Sequence, residues 1–404
     1  MAAMVIVGAG HAAGQAAASL RQDGYDGEIV IIGDEPHIPY QRPPLSKQYL
    51  SGEHGLEKVY LRPARFYEDK NITVKTGVRV TAIDTEARTV TTDQQEHIGY
   101  DKLLLATGGR PRQLTIPGHD LRGIHYLRGI EDVDGIRDEM APGRKMVVVG
   151  GGYIGLEVAA VAVEAGLEVH VLEMEGRILQ RVTTERMSAY YHQLHESRGV
   201  HIHTRAAVTA FKGSGHVEGV ICGDGDEEYP ADIVIVGIGI VPNVEIAQAA
   251  GIECDNGIVV DDHCRTSAED VFAAGDCTNH PNALLDRRLR LESVPNAMEQ
   301  ARVAAANMCG GDKHYASIPW FWSDQYELKL QMVGFSADGD TEVVRGDMAA
   351  NQFAVFYLKD GRLVAADAVN SPKEFMVCRQ LVGQPVDAGA LADPETDLKT
   401  LLKR

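Results

Sequence analysis

The sequence predicts an α/β protein, mainly because one strand–turn–helix–strand pattern occurs twice in its 404 residues. Each copy has a short apolar strand, a glycine-rich turn, an alanine-rich helix and a second strand that leads to an acidic residue. The first copy begins at Met4 and the second at Met146. Nearer the C-terminus, apolar segments near Phe353–Leu358 and Leu363–Val369 predict two further strands.

The clearer copy begins with the predicted strand Met146–Val149. Gly150 then permits a tight turn, Gly152 lets the backbone approach a pyrophosphate, and Gly155 lets the helix pack closely on the strand. The helix N-terminus faces the phosphates, and Glu173, at the end of the second strand, is placed to bond ribose hydroxyls. This segment therefore predicts a Rossmann-type dinucleotide site in the middle of the chain.

The N-terminal copy follows the predicted strand Met4–Val7. Gly8 and Gly10 occupy the first two glycine positions, and Ala13 replaces the third, where a small side chain is sufficient. Asp34 follows the second strand and stands 24 residues after Gly10, a distance that suits the ribose-binding acid. Two such sites imply two nucleotides and hydride transfer between cofactors, which indicates a flavoprotein with FAD at one site and a nicotinamide at the other.

The composition argues against several classes of protein. The formal net charge of −19 argues against a general nucleic-acid binder. The six cysteines form no CxxC pair, so neither a dithiol relay nor a zinc ribbon is expected, and no metal site is predicted. No secretory signal is recognised, and the longest apolar segment contains Glu157 and Glu164, which make it too polar to span a bilayer. We expect a cytoplasmic protein with reduced thiols.

Several short segments carry a resemblance to a known family. Pro43 and Pro44 predict a rigid turn after the first nucleotide pattern, with a helix starting at Leu45. The surrounding GDExxxPYxRPPLSK pattern resembles the oxygenase-coupled ferredoxin reductases, which have a glutathione-reductase-like fold. Four later segments are also similar to this family: Tyr100–Gly108, Thr266–Cys277, Glu292–Ala297 and Trp320–Gln325.

The resemblance implies three domains. Residues 1–112 and 251–319 would form a discontinuous FAD domain, with an NAD domain of residues 113–250 inserted between its two parts. Residues 320–404 would form the C-terminal α+β domain. This insertion would explain why the second glycine pattern lies in the middle of the chain.

The resemblance also implies individual binding residues. Asp34 would contact the adenosine ribose of FAD, and six further residues fall on matching FAD positions: Ala12, Lys47, Val80, Arg128, Asp276 and Val294. In the NAD domain, Ile154 would line the nicotinamide pocket, Arg181 would lie along the adenine, and Gly237 would belong to a return loop near the nicotinamide.

Lys47 and Glu157 are the predicted catalytic residues. In similar flavoproteins a lysine and a glutamate pair near the flavin N5, where the cation stabilises negative charge and the pair orients the nicotinamide. The alternative is that both are solvated surface charges. For the nucleotide, the Glu173 carboxylate favours NADH because it repels a 2′-phosphate, although Arg177 and Arg181 downstream are residues that an NADP enzyme could use.

The partner implied by the resemblance is a separate, acidic [2Fe–2S] ferredoxin that serves a cytochrome P450 or a ring-hydroxylating oxygenase. Docking onto this acidic chain requires a local basic patch, for which Arg302 is one candidate. The other candidates are Arg287, Arg288, Arg290, Lys399, Lys403 and Arg404. Trp320 and Trp322 would shield the flavin edge, lie on the electron exit, or simply pack in the core.

Three alternative functions stay open at this point. A rubredoxin reductase and an NADH oxidase would share both nucleotide sites and differ in the acceptor. A flavoprotein that senses NADH and signals by binding a partner is the third alternative, although no basic DNA-binding surface accompanies it.

Overall fold

A computed structural model describes residues 3–225 and 227–402. Up to residue 110, the helices are α1 (His11–Gln22) and α2 (Ala64–Asp69). The strands are β1 (Ala3–Val7), β2 (Ile29–Ile32), β3 (Ile72–Lys75), β4 (Val80–Asp84), β5 (Thr89–Thr92), β6 (His97–Leu105) and β7 (Gly109–Pro111).

Between residues 111 and 239, the helices are α3 (Ile130–Glu139), α4 (Tyr153–Glu164) and α5 (Glu185–Ser197). The strands are β8 (Ile124–His125), β9 (Lys145–Val149), β10 (Glu168–Glu173), β11 (Val200–Thr204), β12 (Val208–Gly213), β13 (Val217–Cys222), β14 (Glu227–Pro230) and β15 (Ile233–Val236).

From residue 240 onward, the helices are α6 (Glu245–Ala249), α7 (Val294–Met308), α8 (Pro372–Leu381) and α9 (Ala388–Ala392). The strands are β16 (Ile240–Pro242), β17 (Ile258–Val259), β18 (Val271–Ala273), β19 (Thr278–Asn282), β20 (Arg287–Leu289), β21 (Trp320–Gln325), β22 (Leu328–Gly334), β23 (Thr341–Asp347), β24 (Gln352–Lys359) and β25 (Arg362–Val369). Short 3₁₀ turns occupy Pro43–Ser46, Leu56–Lys58, Ser336–Asp338 and Leu398–Leu401.

These elements form two units. The first consists of Met1–Arg42, Gly55–Arg110 and Ile240–Pro319, and the second of Pro43–His54, Pro111–Gly239 and Trp320–Arg404. The predicted three-domain division stays a prediction, and the units differ from it in four ways. Residues 43–54 and residues 111–112 join the second unit, residues 240–250 join the first, and the C-terminal residues share a unit with residues 111–239.

The first unit is built on a sheet whose parallel strands have the order β3-β2-β1-β6-β18, and β6 continues into the antiparallel strands β5 and β4. The residues of β1 and β2 are apolar throughout and fully buried, as expected for parallel strands covered on both faces. Helix α1 is rich in alanine and packs against α7, which is possible because small side chains let two helix backbones approach closely.

The second unit contains a parallel sheet of order β11-β10-β9-β15-β8 and an antiparallel sheet of β12, β13 and β14. Its C-terminal part is an antiparallel sheet of order β21-β22-β25-β24-β23, with α8 packed on it. The predicted fold class is therefore confirmed: two Rossmann-type α/β regions are followed by an α+β region. Across the described ranges, no helix is long and apolar enough to cross a membrane.

The helix predicted to start at Leu45 is wrong. The segment Pro43–Ser46 is a single 3₁₀ turn. The backbone N–H groups of Lys47 and Tyr49 both donate to the carbonyl of Pro44, at 3.0 and 2.9 Å, so the regular hydrogen-bond ladder of an α-helix does not propagate. Consecutive prolines supply no N–H donors, and here they open a short turn instead of a helix.

Candidate functional site

The glycine turn between β1 and α1 has the geometry of a phosphate cradle. Gly8 has φ +109°, and a Cβ atom there would lie 2.1 Å from the backbone oxygen of Ala106, so only glycine fits. Gly10 precedes the first residue of α1, and no described atom lies within 4 Å of the position of an added Cβ. Ala13 is fully buried in the core beneath the turn. The turn therefore has the open glycine position next to a helix N-terminus that the approach of a pyrophosphate requires.

The turn between β9 and α4 repeats this geometry in the second unit. Gly150 has φ +105°, and an added Cβ would lie 2.4 Å from the backbone oxygen of Gly237. At Gly155 an added Cβ would lie 2.3 Å from the backbone oxygen of Gly150. The helix packs so closely on the strand that only glycine fits at this position. Gly152 precedes α4, again with no described atom within 4 Å of an added Cβ. Both cradles fit a dinucleotide.

Glu173 is held beside the second cradle. Its Oε2 accepts a hydrogen bond of 2.8 Å from the N–H of Gly151, and its Oε1 accepts one of 2.9 Å from the N–H of Glu175. Each carboxylate oxygen has two lone pairs and keeps one for another donor. The guanidinium of Arg177 donates to three backbone carbonyls of the following loop, at Gln180, Thr183 and Thr184. Arg177 is thus occupied in holding this loop, while Arg181 is exposed.

The two acidic residues predicted to contact FAD, Asp34 and Asp276, lie in different environments within the first unit. Asp34 follows β2 and is more than half exposed, and its Oδ2 lies 3.1 Å from the Nη2 of Arg79. An exposed pair of this kind holds the side chain only weakly, so Asp34 is accessible to a ribose. Asp276 is half-buried and follows Gly275, which has a φ of +92° and whose N–H donates to the side-chain Oε1 of Gln300 at 2.8 Å.

Lys47 and Glu157 form a buried ion pair within the second unit. The Nζ of Lys47 lies 2.6 Å from the Oε2 of Glu157, and the two side chains are 11% and 4% exposed. Ser46 donates its hydroxyl to the same Oε2 at 2.5 Å. Ser323, on β21, donates to Oε1 at 2.6 Å. Both carboxylate oxygens are therefore occupied, and the description of the two residues as solvated surface charges does not apply.

Lys47 has two further acceptors nearby. Its Nζ lies 3.2 Å from the carbonyl oxygen of Pro43 and 3.3 Å from the Oγ of Ser46. The 3₁₀ turn Pro43–Ser46 thus places both Ser46 and the Lys47 ammonium against the first turns of α4. The pair is held from three segments: the turn, the helix and β21.

The remaining predicted residues are distributed as follows. In the first unit, Ala12 is buried in α1, Val80 is buried in an apolar core cluster at the start of β4, and Val294 is the first residue of α7. In the second unit, Arg128 is half-buried just before α3, and Ile154 is 47% exposed in the first turn of α4.

Sequence reasoning missed Ser46 and Ser323 as parts of this site. Ser46 precedes Lys47 inside a segment already singled out, so the motif itself contained the signal. Ser323 is 166 residues from Glu157, and no local pattern connects them. Only the tertiary fold brings β21 to the start of α4.

All six cysteines are free thiols. Burial raises the pKa of Cys222 to about 11 and that of Cys378 to about 12, so both are protonated at neutral pH. Cys264 and Cys277 are also buried, and burial raises the pKa of each thiol. None of the six cysteines is paired in a disulfide.

Some of the basic side chains predicted to dock a ferredoxin are occupied by contacts within the fold. Arg288 donates to the backbone oxygens of Val260 and Asn279, and Arg290 pairs with Glu292 at 2.6 Å, so these two guanidinium groups are occupied within the fold. Lys399 is exposed, while Lys403 and Arg404 lie outside the described residues. Arg302 is exposed on α7.

The two tryptophans are partly buried in the C-terminal sheet. The ring of Trp320 lies 5.7 Å from that of Trp322 and 5.6 Å from that of Phe375. The guanidinium of Arg379 lies 4.8 Å from the Trp320 ring centroid. These contacts agree with a packing role for Trp320.

Comparisons with known proteins agree with this geometry. Residues 2–301 match the family described as pyridine nucleotide-disulphide oxidoreductase, and residues 320–402 match the family described as reductase C-terminal. The chain is 44% identical over 407 residues to putidaredoxin reductase of Pseudomonas putida, covering 99% of this chain and 96% of that protein. It is 46% identical over 406 residues to the ferredoxin–NAD(+) reductase component of the anthranilate 1,2-dioxygenase system of Burkholderia cepacia, covering 98% of each.

Solved structures give the same result. The chain superposes with a TM-score of 0.94, at 43% identity, on the reductase in the crystal structure of the covalent putidaredoxin reductase–putidaredoxin complex, covering 99% of this chain and 98% of that one. The resemblance to oxygenase-coupled ferredoxin reductases is thereby confirmed. Membership of such a family implies that the chain binds a flavin and a pyridine nucleotide. The chain is an oxidoreductase that belongs to the pyridine nucleotide-disulphide oxidoreductase family.

Proposed function

We propose that this chain is an NADH-dependent ferredoxin reductase that uses FAD and passes single electrons to a [2Fe–2S] ferredoxin serving a cytochrome P450 or a ring-hydroxylating oxygenase. The observation that carries this proposal is the combination of two dinucleotide cradles with six free cysteines. Two cradles support hydride transfer between cofactors, and without a disulfide the electrons leave for an external acceptor.

For the electron input we propose NADH at the cradle of Gly150 and Gly152. The carboxylate of Glu173 lies beside this cradle and has lone pairs for two ribose hydroxyls, whereas a 2′-phosphate would meet its negative charge. The occupied guanidinium of Arg177 supports the same choice. Comparing kcat/KM for NADH and NADPH tests this assignment, and the Glu173→Ala variant is expected to reduce the preference for NADH.

For the flavin site we propose that Lys47 and Glu157 act as a fixed charged pair. When FAD is bound, it supplies the exchange between two-electron and one-electron chemistry. The hydroxyls of Ser46 and Ser323 hold the Glu157 carboxylate, and Glu157 in turn holds the ammonium of Lys47. A cation that is already positioned stabilises developing negative charge without reorganisation, and the pair orients the arriving nicotinamide.

For the electron output we propose a ferredoxin that docks through complementary charge. One solved relative is described as a complex of a reductase with putidaredoxin, which supports a separate electron carrier as partner. With a net charge of −19, the chain needs a local cationic surface to attract an acidic protein. Arg302, exposed on α7, is the proposed centre of that surface. The free thiols are consistent with a cytoplasmic location.

The test is NADH-driven cytochrome c reduction with a panel of [2Fe–2S] ferredoxins, with a rubredoxin as an additional acceptor. Fast turnover that depends on a ferredoxin supports the proposal, whereas turnover only with rubredoxin, or only with oxygen, would overturn it. Arg302→Glu is expected to raise the KM for ferredoxin and leave NADH–ferricyanide turnover unchanged. The matched control is Arg65→Glu, which reverses an 83%-exposed arginine on α2 and should leave the KM unchanged.

A further inference from the structure

A cluster of histidine and aspartate side chains lies in the first unit between β17 and β18 and just after α7. The Nδ1 of His263 is 2.8 Å from one carboxylate oxygen of Asp262, and the Nδ1 of His314 is 2.8 Å from the other. The two imidazole rings have centroids 4.2 Å apart. These three residues each offer one ligand atom, and the ligand atoms all lie within 4.8 Å of one another. Two imidazoles and a carboxylate are a donor set that transition-metal ions prefer.

A further carboxylate orients one of these rings. The Oδ1 of Asp312 lies 2.8 Å from the Nε2 of His263, on the side of the ring away from Asp262. When an imidazole binds a metal ion through one nitrogen, a carboxylate on the other nitrogen fixes the tautomer and makes the ligand more basic. Asp312 occupies that position behind His263, whose Nδ1 faces Asp262.

The backbone around the cluster is already fixed. The side chain of Asn307 donates to the carbonyls of His263 and Lys313, at 2.9 Å each, and accepts from the N–H of Lys313 at 2.8 Å. The N–H of Tyr315 donates to the carbonyl of Asp262 at 2.6 Å. These bonds tie the segment after α7 to the segment after β17, so little ordering is required of the ligands when an ion binds.

The charge of the cluster favours a cation. Three carboxylates, of Asp261, Asp262 and Asp312, lie beside the two imidazole rings. The Oδ2 of Asp261 lies 3.9 Å from the Nδ1 of His263, close enough to serve as an outer oxygen.

We propose that Asp262, His263 and His314 form a binding site for a divalent transition-metal ion of the Zn²⁺ class, with water completing the coordination. The bound ion joins the segment after β17 to the segment after α7. This role is structural, because the ligands are not residues assigned to either nucleotide cradle. The site departs from the sequence-based expectation that the chain has no metal site, since His314 is 51 residues from His263, which adjoins Asp262, and the three form no recognised spacing motif.

The test is equilibrium dialysis of the flavin-loaded full chain against Zn²⁺, with metal quantified in each variant. We expect about one Zn²⁺ per chain, and a fall in affinity of more than about 10-fold in His314→Ala and Asp262→Asn. Asp312→Asn should weaken binding by about 10-fold, because it removes only the carboxylate behind His263. The controls are Cys309→Ser and His119→Ala, which remove an exposed thiol and an exposed imidazole elsewhere.

His314 and Asp312 are 56% and 84% exposed, so their variants are expected to fold. Zn²⁺ should also raise the thermal midpoint of the wild-type chain and leave that of His314→Ala unchanged, because binding only to the folded state stabilises it. NADH–ferricyanide turnover should be the same in both. The proposal is overturned if no Zn²⁺ binds, if His314→Ala binds as tightly as wild type, or if a control variant loses the ion.

Discussion

The buried pair of Lys47 and Glu157 makes the strongest prediction. Replacing Lys47 by methionine keeps the length of the side chain but leaves the carboxylate, only 4% exposed, with the two serine hydroxyls as donors. Removing one partner of a buried pair destabilises a protein by about 3–5 kcal/mol. Because two charge-assisted hydrogen bonds remain and Lys47 is 11% exposed, we expect a loss near the lower end, about 3 kcal/mol.

Replacing Glu157 instead of Lys47 should lower the free energy of unfolding by a different amount. Glu157→Gln keeps an oxygen that can accept from Ser323, but it leaves the ammonium with only the Pro43 carbonyl and the Ser46 hydroxyl, at 3.2 and 3.3 Å. We expect a loss of about 2 kcal/mol. The double variant has neither charge, so its loss should be smaller than the sum of the single losses by about 2 kcal/mol.

The assay is urea unfolding of the flavin-loaded full chain, for wild type, both single variants and the double variant. Lys58→Met, which removes an exposed lysine, is the matched control and should lie within about 0.5 kcal/mol of wild type. In parallel, the single-turnover rate of flavin reduction by NADH should fall by about 100-fold in Lys47→Met while the flavin is retained. Additivity of the two single losses, together with a normal reduction rate, would refute the reasoning.

Three further predictions concern a hydrogen bond, two glycines and a buried carboxyl group. Ser323→Ala removes a donor to Glu157 and should cost about 2 kcal/mol by urea unfolding; an unchanged midpoint would contradict the contact. Gly150→Ala should prevent normal folding because of its φ of +105°, whereas Gly152→Ala should fold like wild type by circular dichroism and bind NADH more weakly by titration. Burial raises the pKa of Asp367 to about 6 from 3.8, so the stability from its protonated form is lost as pH rises through about 6. Asp367→Asn should therefore gain about 3 kcal/mol relative to wild type between about pH 4 and pH 7, and parallel pH profiles would contradict this.

Much of the fold could be predicted from local sequence. The strand ending at Val149 and the glycine turn at Gly150 have patterns whose physical causes lie within a few residues: apolar runs buried on both faces, and backbone angles that only glycine adopts at low cost. The same holds for the turn at Gly8. Local prediction failed at Leu45, where two prolines open a 3₁₀ turn, because the continuation of a helix depends on hydrogen bonds that form only in the folded chain.

By itself, the sequence determined the two glycine turns and the order of the α/β elements. Through the resemblance, it also predicted that Lys47 and Glu157 act together. Only the tertiary structure decided that Glu157 is buried, that Ser323 of β21 holds it, and that Arg288 is occupied by backbone carbonyls. It also brought His314 beside Asp262. The physical reason is the distance in sequence between the interacting residues. Backbone angles and the pattern of strand burial are set by neighbouring residues, whereas an ion pair or a ligand set depends on where distant segments pack.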